Sequence, residues 1–301
     1  MPTSKALDLE GVNIHYVDFG GHGPTIVLVH GLGGAHTNWI AVGDRLTRHG
    51  HVLALDLPGF GLSGRVPGGN TVEGMGASLA RFLDAVSPEP VHLVGNSMGG
   101  TLTVLERHAR PGRIASALLV CPALPGPALP RLDRRWITTL LIAMAPGGAR
   151  LMKRYAERVG PEGQMRDTIA LCCAEGDRVT ADVRAALVAL NRERAGIAWG
   201  PQTFCEATRS LMGLLVSRTR IGAALRTLAP PMLIVQGQRD RLVDPRAARM
   251  VVAANPHLEL TEVAEFGHMP QLDFPEKFVE IAGGWFGRGA RNVPEPAPAV
   301  A

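Results

Sequence analysis

Short apolar runs and one alternating segment dominate the hydrophobic pattern of this chain. Residues 7–19 alternate apolar and polar positions on either side of Glu10-Gly11, which predicts an antiparallel hairpin at the edge of a sheet. The later runs are continuous and rich in β-branched residues, which is typical of strands buried on both faces of a parallel sheet. These strands are predicted at 25–29, 52–55, 91–94, 117–120, 232–235 and 258–263.

Helical patterns separate several of these strands. They cover residues 71–86, 99–109 and 247–254, and a last helix is predicted at 274–285. This alternation of strand and helix indicates an α/β fold with a mostly parallel central sheet flanked by helices.

Residues 123–229 interrupt the alternation, because they are helical in pattern and contain no convincing strand. We interpret them as an inserted helical cap on a core formed by residues 1–122 and 230–288. Residues 289–301, rich in Pro and Ala, are predicted to be a disordered tail. The apolar cap residues suggest an apolar pocket, although packing against the core is the favoured role; they include Leu140, Leu141, Ile142, Leu211, Met212, Leu214 and Leu215.

The composition supports a globular protein and argues against nucleic-acid binding. Hydrophobic residues make up 46% and charged residues 19% of the 301 residues, and the net charge of +4 is spread along the chain. The densest basic cluster, Arg131, Arg134 and Arg135, precedes an apolar stretch at 136–145. This pattern fits a solvated helix rim or a weak membrane-surface contact, and the short apolar stretch favours the solvated rim.

Cysteine spacing and the first residues of the chain give two further expectations. The four cysteines show no CxxC spacing, so neither a zinc site nor a disulfide framework is indicated. The first 20 residues contain acids and lack the apolar region of a secretory signal, and no apolar run reaches the about 18 residues of a membrane span. We therefore expect a cytoplasmic protein.

A Gly-x-Ser-x-Gly sequence lies between the predicted strand at 91–94 and the predicted helix at 99–109. Gly95 and Gly99 flank Ser97 in the segment VHLVGNSMGG. Such glycines allow a strained strand-to-helix turn, because a side chain at either position would collide with neighbouring backbone. The same motif in isolation also occurs as an ordinary Gly-rich turn, but the flanking strand and helix favour a nucleophilic serine. We therefore predict that Ser97 is the catalytic nucleophile.

The chain resembles the α/β-hydrolase fold family of serine hydrolases, with esterase-like and lipase-like motifs over nearly its whole length outside the cap. The segment HGLGG at 30–34 resembles the HGxG loop that supplies an oxyanion-hole donor in that family. The resemblance implies that the backbone N–H groups of Leu32 and Met98 bind the oxyanion, and that His30 is structural. The segment DLPGFGLS resembles the DxxGxGxS turn of the family, which implies that Asp56 fixes a loop.

A serine hydroxyl is a weak nucleophile at neutral pH and requires a base and an orienting acid. The order along the chain in this family is serine, acid, histidine, and the histidines after Ser97 are His108, His257 and His268. The segment FGHMPQLDFP is similar to the family's GHxxxxE/DxP pattern. The resemblance therefore implies that His268 is the base.

The acid is expected after the predicted strand at 232–235, where GQRDRLVDP offers Asp240 and Asp244. The spacing of Asp240 is similar to that of the family's G-x-x-D-x-x-V-P pattern, which favours it over Asp244 and over Asp177. The predicted triad is therefore Ser97, Asp240 and His268.

These residues predict a serine carboxylesterase or lipase that cleaves an ester, or a related acyl bond, of an apolar small molecule through an acyl-enzyme, without cofactor or metal. Serine at position 97 argues against the dehalogenases and epoxide hydrolases of the fold, which use aspartate there. Hydrolases of carbon-carbon bonds in ring-cleavage dienones share the elbow but tend to have an aromatic residue where this chain has Met269. Cofactor-free haloperoxidases and acyltransferases share the triad as well, and the fold also occurs in catalytically silent binding modules.

Overall fold

The computed structural model describes residues 2–228 and 231–289. A sheet of eight strands lies at its centre, in the order β1-β2-β4-β3-β5-β6-β7-β8. The strands are β1 (Thr3–Leu9), β2 (Val12–Gly20), β3 (Thr25–Val29), β4 (His51–Leu55), β5 (Val91–Asn96), β6 (Ile114–Val120), β7 (Met232–Gly237) and β8 (Glu259–Val263).

The predicted hairpin forms one edge of this sheet. β1 and β2 pair antiparallel around Glu10 and Gly11, which both have positive φ angles. β2 also pairs antiparallel with β4, whereas the remaining neighbours, from β4 through β3 to β8, are parallel. The predicted α/β fold with a mostly parallel sheet is confirmed, and the carboxyl ends of the parallel strands meet at one edge.

Burial on both faces explains the continuous apolar runs. Val27 and Val29 of β3 belong to one buried cluster, while Ile26 and Leu28, which point to the opposite face, belong to another. Each face is covered by helices, so every position of such a strand must be apolar.

The helices that we number are α1 (Gly43–Leu46), α2 (Val72–Val86), α3 (Met98–Ala109), α4 (Arg134–Met144), α5 (Gly148–Cys172), α6 (Ala181–Arg194), α7 (Gly200–Ser217), α8 (Thr219–Thr227), α9 (Arg246–Ala254), α10 (Pro270–Asp273) and α11 (Pro275–Gly289). The first helix, α1, has only one turn and was not predicted from the sequence. α5 bends at Gly160, whose φ of 67° and ψ of 177° are not helical, just before Pro161.

Helices α4 to α8 follow one another between β6 and β7, where the sequence predicted an insertion. The domain boundaries stay a prediction. Residues 1, 229, 230 and 290–301, including nearly all of the predicted tail, lie outside the described residues. Leu211 and Leu214 pack into the main core as favoured. The packing expectation is wrong for Leu141, which is 66% exposed. None of the described helices is long and apolar enough to span a bilayer.

Candidate active site

Ser97 lies at the sharp turn between β5 and α3. Its backbone has a φ of 54° and a ψ of −117°, a positive-φ conformation that is strained for residues other than glycine. Ser97 N donates to Val120 O at 3.0 Å, and Ala123 N donates to Ser97 O at 3.0 Å. Its neighbours on both sides are buried, whereas Ser97 is half-buried. The turn therefore presents this one side chain at the strand ends.

The two glycines of the elbow are sterically required. A Cβ atom on Gly99 would lie 2.3 Å from Val29 O, and one on Gly95 would lie 2.3 Å from Gly99 O. The obstructing atoms are backbone, so a side chain at either position would force β3 or α3 to move. The glycines let these elements approach each other around Ser97.

The loop at 30–34 passes directly beside Ser97. A Cβ atom on Gly31 would lie 2.9 Å from the Cβ atom of Ser97. His30 is fully buried, with its Nδ1 atom 2.7 Å from Gly31 O, and its Nε2 atom accepts a hydrogen bond from Leu57 N at 2.9 Å. Because Nε2 accepts, Nδ1 carries the proton and the ring is neutral. Burial lowers the pKa of His30 to about 4, which fits the structural role implied for it.

The two expected oxyanion donors belong to the segments that flank Ser97. Met98 is the first residue of α3, and the first amides of a helix have no acceptor within that helix. Leu32 follows Gly31 in the adjacent loop and is half-buried. The start of α3 also carries the positive end of the helix dipole, which favours negative charge at this position.

His268 and Asp240 form a buried hydrogen-bonded pair. His268 Nδ1 lies 2.8 Å from Asp240 Oδ2, and the two residues are only 4% and 6% exposed. The other carboxylate oxygen of Asp240 accepts from Leu242 N at 2.8 Å and from Val243 N at 3.0 Å. These two backbone donors fix the carboxylate directly after β7, so it can orient the imidazole ring.

The two reserve acids lie elsewhere in the local structure. Asp244 forms an ion pair with Arg246 at 2.6 Å and accepts from Arg131 N at 2.7 Å. The hydrogen bond from Arg246 holds the pKa of Asp244 well below its usual range. Asp177 is exposed in a short turn after α5. Of the three candidate acids, Asp240 is the one that the structure places against His268.

Asn96 joins the elbow to the histidine loop, a contact that the sequence analysis missed. Its Nδ2 atom donates to Val120 O and to His268 O, both at 3.0 Å. The side chain therefore holds the residue next to Ser97 against the backbone of His268. The position of Asn96 inside the GNSMGG segment was the one signal in the sequence that could have drawn attention to it. The sequence could not predict that its acceptor is the distant His268.

Asp56 is the centre of a separate buried network. Its carboxylate lies 2.7 Å from His15 Nδ1, and accepts from His36 N at 2.5 Å and from Leu62 N at 2.9 Å. Although burial alone would raise its pKa, the hydrogen bonds from His15 and His36 hold the pKa of Asp56 below its usual range. These contacts tie the loop after β4 to strand β2 and to the segment that begins at His36, in keeping with the loop-fixing role that the sequence resemblance implied.

Two clusters offer potential metal-ligating atoms. One combines His15, His36 and Asp56, and the other places Cys121 beside Asp240 and His268, with the candidate atoms of each cluster within 4.8 Å of one another. In the first cluster the two imidazoles already bind the carboxylate. In the second, burial raises the pKa of the Cys121 thiol, so it remains protonated and is a poor ligand.

Helices α5 and α7, which belong to the predicted insertion, contact the site from two sides. A Cβ atom on Gly33, in the loop beside Ser97, would lie 3.0 Å from the Phe204 ring of α7. The end of α5 meets the histidine loop, because Cys172 O accepts from His268 N at 2.8 Å and from Met269 N at 3.1 Å. Helices of the insertion therefore border both the loop at 30–34 and the histidine.

The sequence profile of the alpha/beta hydrolase fold family matches residues 24–275, which include Ser97, Asp240, His268 and both expected oxyanion donors. The chain belongs to this family. The prediction of an α/β-hydrolase fold, made from the elbow and the two loops, is thereby confirmed.

Two similar proteins are named for different activities. The chain is 38% identical, over 122 residues, to the dihydrolipoyllysine-residue acetyltransferase component of the acetoin cleaving system of Cupriavidus necator. That match covers 40% of this chain and only 33% of the relative. A second relative, from Cupriavidus pinatubonensis, is a 2-hydroxy-6-oxononadienedioate/2-hydroxy-6-oxononatrienedioate hydrolase, 26% identical over 95% of this chain and 94% of its own.

A thermophilic esterase from Thermogutta terrifontis has a similar solved structure. The TM-score is 0.70 at 22% identity, covering 96% of this chain and 99% of the esterase. This likeness shows the shared fold alone, because a fold does not by itself determine an activity.

Proposed function

We propose that this hydrolase is a serine carboxylesterase that cleaves an ester of an apolar small molecule through an acyl-enzyme. The observation that carries the proposal is the buried hydrogen bond between His268 Nδ1 and Asp240 Oδ2, on a loop that Asn96 joins to the Ser97 elbow. Nucleophile, base and orienting acid are the three groups that acyl transfer to serine requires.

The geometry of the pair assigns a role to each group. Because Nδ1 of His268 is engaged by Asp240, its Nε2 atom is left to accept the proton of Ser97 as Oγ attacks the ester carbonyl. His268 then returns this proton to the departing alkoxide, leaving an acyl group on Ser97. Water attacks the acyl-enzyme with His268 again as the base, which releases the carboxylic acid and restores Ser97. Asp240 keeps its hydrogen bond to Nδ1 throughout and stabilises the imidazolium.

The negative charge that develops on the carbonyl oxygen needs donors on the opposite side of the reacting carbon. We assign this role to the backbone N–H groups of Leu32 and Met98, which flank Ser97. The side chains at both positions are apolar, which is no obstacle because the donors are backbone groups. None of these steps uses a metal or a cofactor.

The contact of Phe204 with the loop at 30–34 supports a covering role for the insertion. We propose that residues 123–229 act as the cap that borders the acyl pocket.

A panel of nitrophenyl esters of increasing acyl length tests the esterase proposal. We expect turnover of short to medium acyl chains by the wild-type protein and loss of this turnover in Ser97→Ala. Turnover at no chain length would refute the ester proposal, and full turnover by Ser97→Ala would refute the assigned nucleophile.

Hydrolysis of a carbon-carbon bond is the second candidate, because a relative over nearly the full chain is named for a dienedioate hydrolase. Met269, next to the proposed base, departs from the aromatic residue usual in that group. Adding a ring-cleavage dienone and an acyl-acceptor alcohol to the ester panel separates carbon-carbon hydrolysis and acyl transfer from ester hydrolysis. Faster consumption of the dienone than of every ester would favour the second candidate.

A further inference from the structure

Five large apolar side chains are exposed on two consecutive helices of the insertion. On α4 they recur at intervals of four and three residues, and on α5 at an interval of four, so each set lies on one side of its helix. We call them together the α4–α5 face: Ile137, Leu141, Met144, Leu151 and Tyr155, which are 40%, 66%, 45%, 51% and 45% exposed.

The two halves of this face are adjacent. α7 packs on both helices, since Arg209 donates to Ala143 O of α4 at 2.9 Å and Cys205 Sγ lies 3.6 Å from Met152 Sδ of α5. The pKa of Tyr155 is raised by its hydrogen bond to Asp167, while Arg135 of α4 is close enough to oppose this rise. Helices α4 and α5 also contact each other directly, so the two parts of the face are neighbours.

The apolar surface of α4 is unusual for a helix of a folded domain. Of its eleven residues only Ala143 is fully buried, although the sequence RRWITTLLIAM is mostly apolar. A helix that packs on a core buries its apolar stripe and exposes its polar residues. α4 instead leaves Ile137, Leu141 and Met144 exposed along with its polar residues, which marks the face as an interaction surface.

Positive charge predominates in the segment that carries the face, although Asp167 accepts a hydrogen bond from Tyr155 at its border. Residues 129–158 contain seven basic and two acidic residues, a net charge of +5, whereas the whole chain has a net charge of +4. All seven basic side chains are exposed. Among them Arg134, Arg150 and Arg154 have no acidic partner within the described part of the chain.

We propose that the α4–α5 face docks on the surface of an anionic phospholipid bilayer. Apolar side chains enter the boundary between headgroups and acyl chains, while the surrounding cations bind phosphate groups. A second copy of the chain fits less well, because it would bring two net-positive segments together. The contact is interfacial and needs no spanning helix.

Co-sedimentation with vesicles tests this docking independently of catalysis. The full-length protein is mixed with vesicles of phosphatidylcholine alone or with about one-third phosphatidylglycerol. We expect at least about tenfold tighter binding to the anionic vesicles, weakened at high salt. Leu141→Ser together with Leu151→Ser should reduce this binding by about tenfold or more.

The matched control removes two exposed apolar side chains elsewhere. Val216 and Met250 are 79% and 45% exposed and lie outside residues 129–158. Val216→Ser with Met250→Ser should bind vesicles like the wild type, and circular dichroism should show both double variants folded. Three results would overturn the proposal: no binding to anionic vesicles, equal loss in both double variants, or a dimer in sedimentation velocity that only the Leu141 and Leu151 substitutions abolish and that binds no vesicles.

Discussion

The strand ends around Ser97 bury polar groups, whereas the α4–α5 face exposes apolar ones. At the strand ends Asp56, Asp240 and His30 are buried, and each is held by backbone donors or neighbouring imidazoles. On the α4–α5 face the apolar side chains are exposed and several cations lack acidic partners in the described structure. The named polar groups of the first region find their hydrogen-bond partners within the chain, so they can hold a fixed reaction geometry. The exposed apolar side chains and cations of the second region suit a partner outside the chain.

The largest effect is expected from removing the proposed base. His268→Ala leaves Ser97 without a proton acceptor, so kcat for a nitrophenyl ester should fall on the order of 10⁴-fold or more. Leu141→Ser, on the other region, should leave kcat for a water-soluble ester within about twofold, as is usual for exposed positions. Comparable losses of kcat in the two variants would contradict the assignment of catalysis to the first region alone.

The two neighbouring acids provide a matched pair. Asp240→Asn should lower kcat by about 10³- to 10⁴-fold, because the amide favours the wrong tautomer of His268. Asp244→Asn removes an ion pair with Arg246 that does not involve His268, so it should lower the urea midpoint of unfolding while leaving kcat nearly unchanged. Steady-state kinetics and urea unfolding of both variants check this. A greater loss of kcat in Asp244→Asn than in Asp240→Asn would indicate that Asp244 is the acid that orients His268.

Close packing at the elbow should make an alanine substitution at Gly99 far more destabilising than one at Gly213. Gly99→Ala places its Cβ atom 2.3 Å from Val29 O and should lower the free energy of unfolding by about 3 kcal/mol or more. Gly213, inside the exposed side of α7, has nothing within 4 Å of an added Cβ atom. Gly213→Ala should therefore raise stability by up to about 1 kcal/mol. Equal unfolding midpoints for the two variants would mean that the elbow tolerates a side chain.

The burial of His30 should lower the free energy of unfolding in mild acid. Unfolded histidine binds a proton near pH 6.5, whereas burial lowers the pKa of folded His30 to about 4. Between these values the unfolded state binds more protons, so stability falls as the pH decreases, by about 3 kcal/mol in total from this residue.

Urea unfolding at pH 7 and pH 4 measures this contribution. His30→Gln should show a smaller loss of stability between the two pH values than the wild type. His22→Gln, at an exposed position, should lose as much as the wild type. Identical losses in all three proteins would show that His30 titrates alike in both states.

The fold was predictable because its central strands are buried on both faces. A run such as 25–29 must then be apolar at every position, and this signal is local. The elbow was predictable for a similar reason, since Gly95 and Gly99 are imposed by backbone contacts close to Ser97. Both signals can be read within about ten residues of chain.

Features that depend on distant partners could not be read in this way. The contact of Asn96 with His268 joins residues far apart in sequence, and the choice of Asp240 over Asp244 depended on a family pattern rather than on geometry. The exposure of Leu141 was also missed, because periodicity identifies the apolar side of a helix but not what covers it.

Labelling with a fluorophosphonate probe tests the central claim most directly, because only an activated serine reacts rapidly with it. Mass spectrometry of the intact protein and its peptides should show one added phosphonyl group, attached to Ser97, and the His268→Ala variant should label far more slowly. An unlabelled wild-type protein, or a label on another serine, would contradict the assignment of Ser97 as the nucleophile.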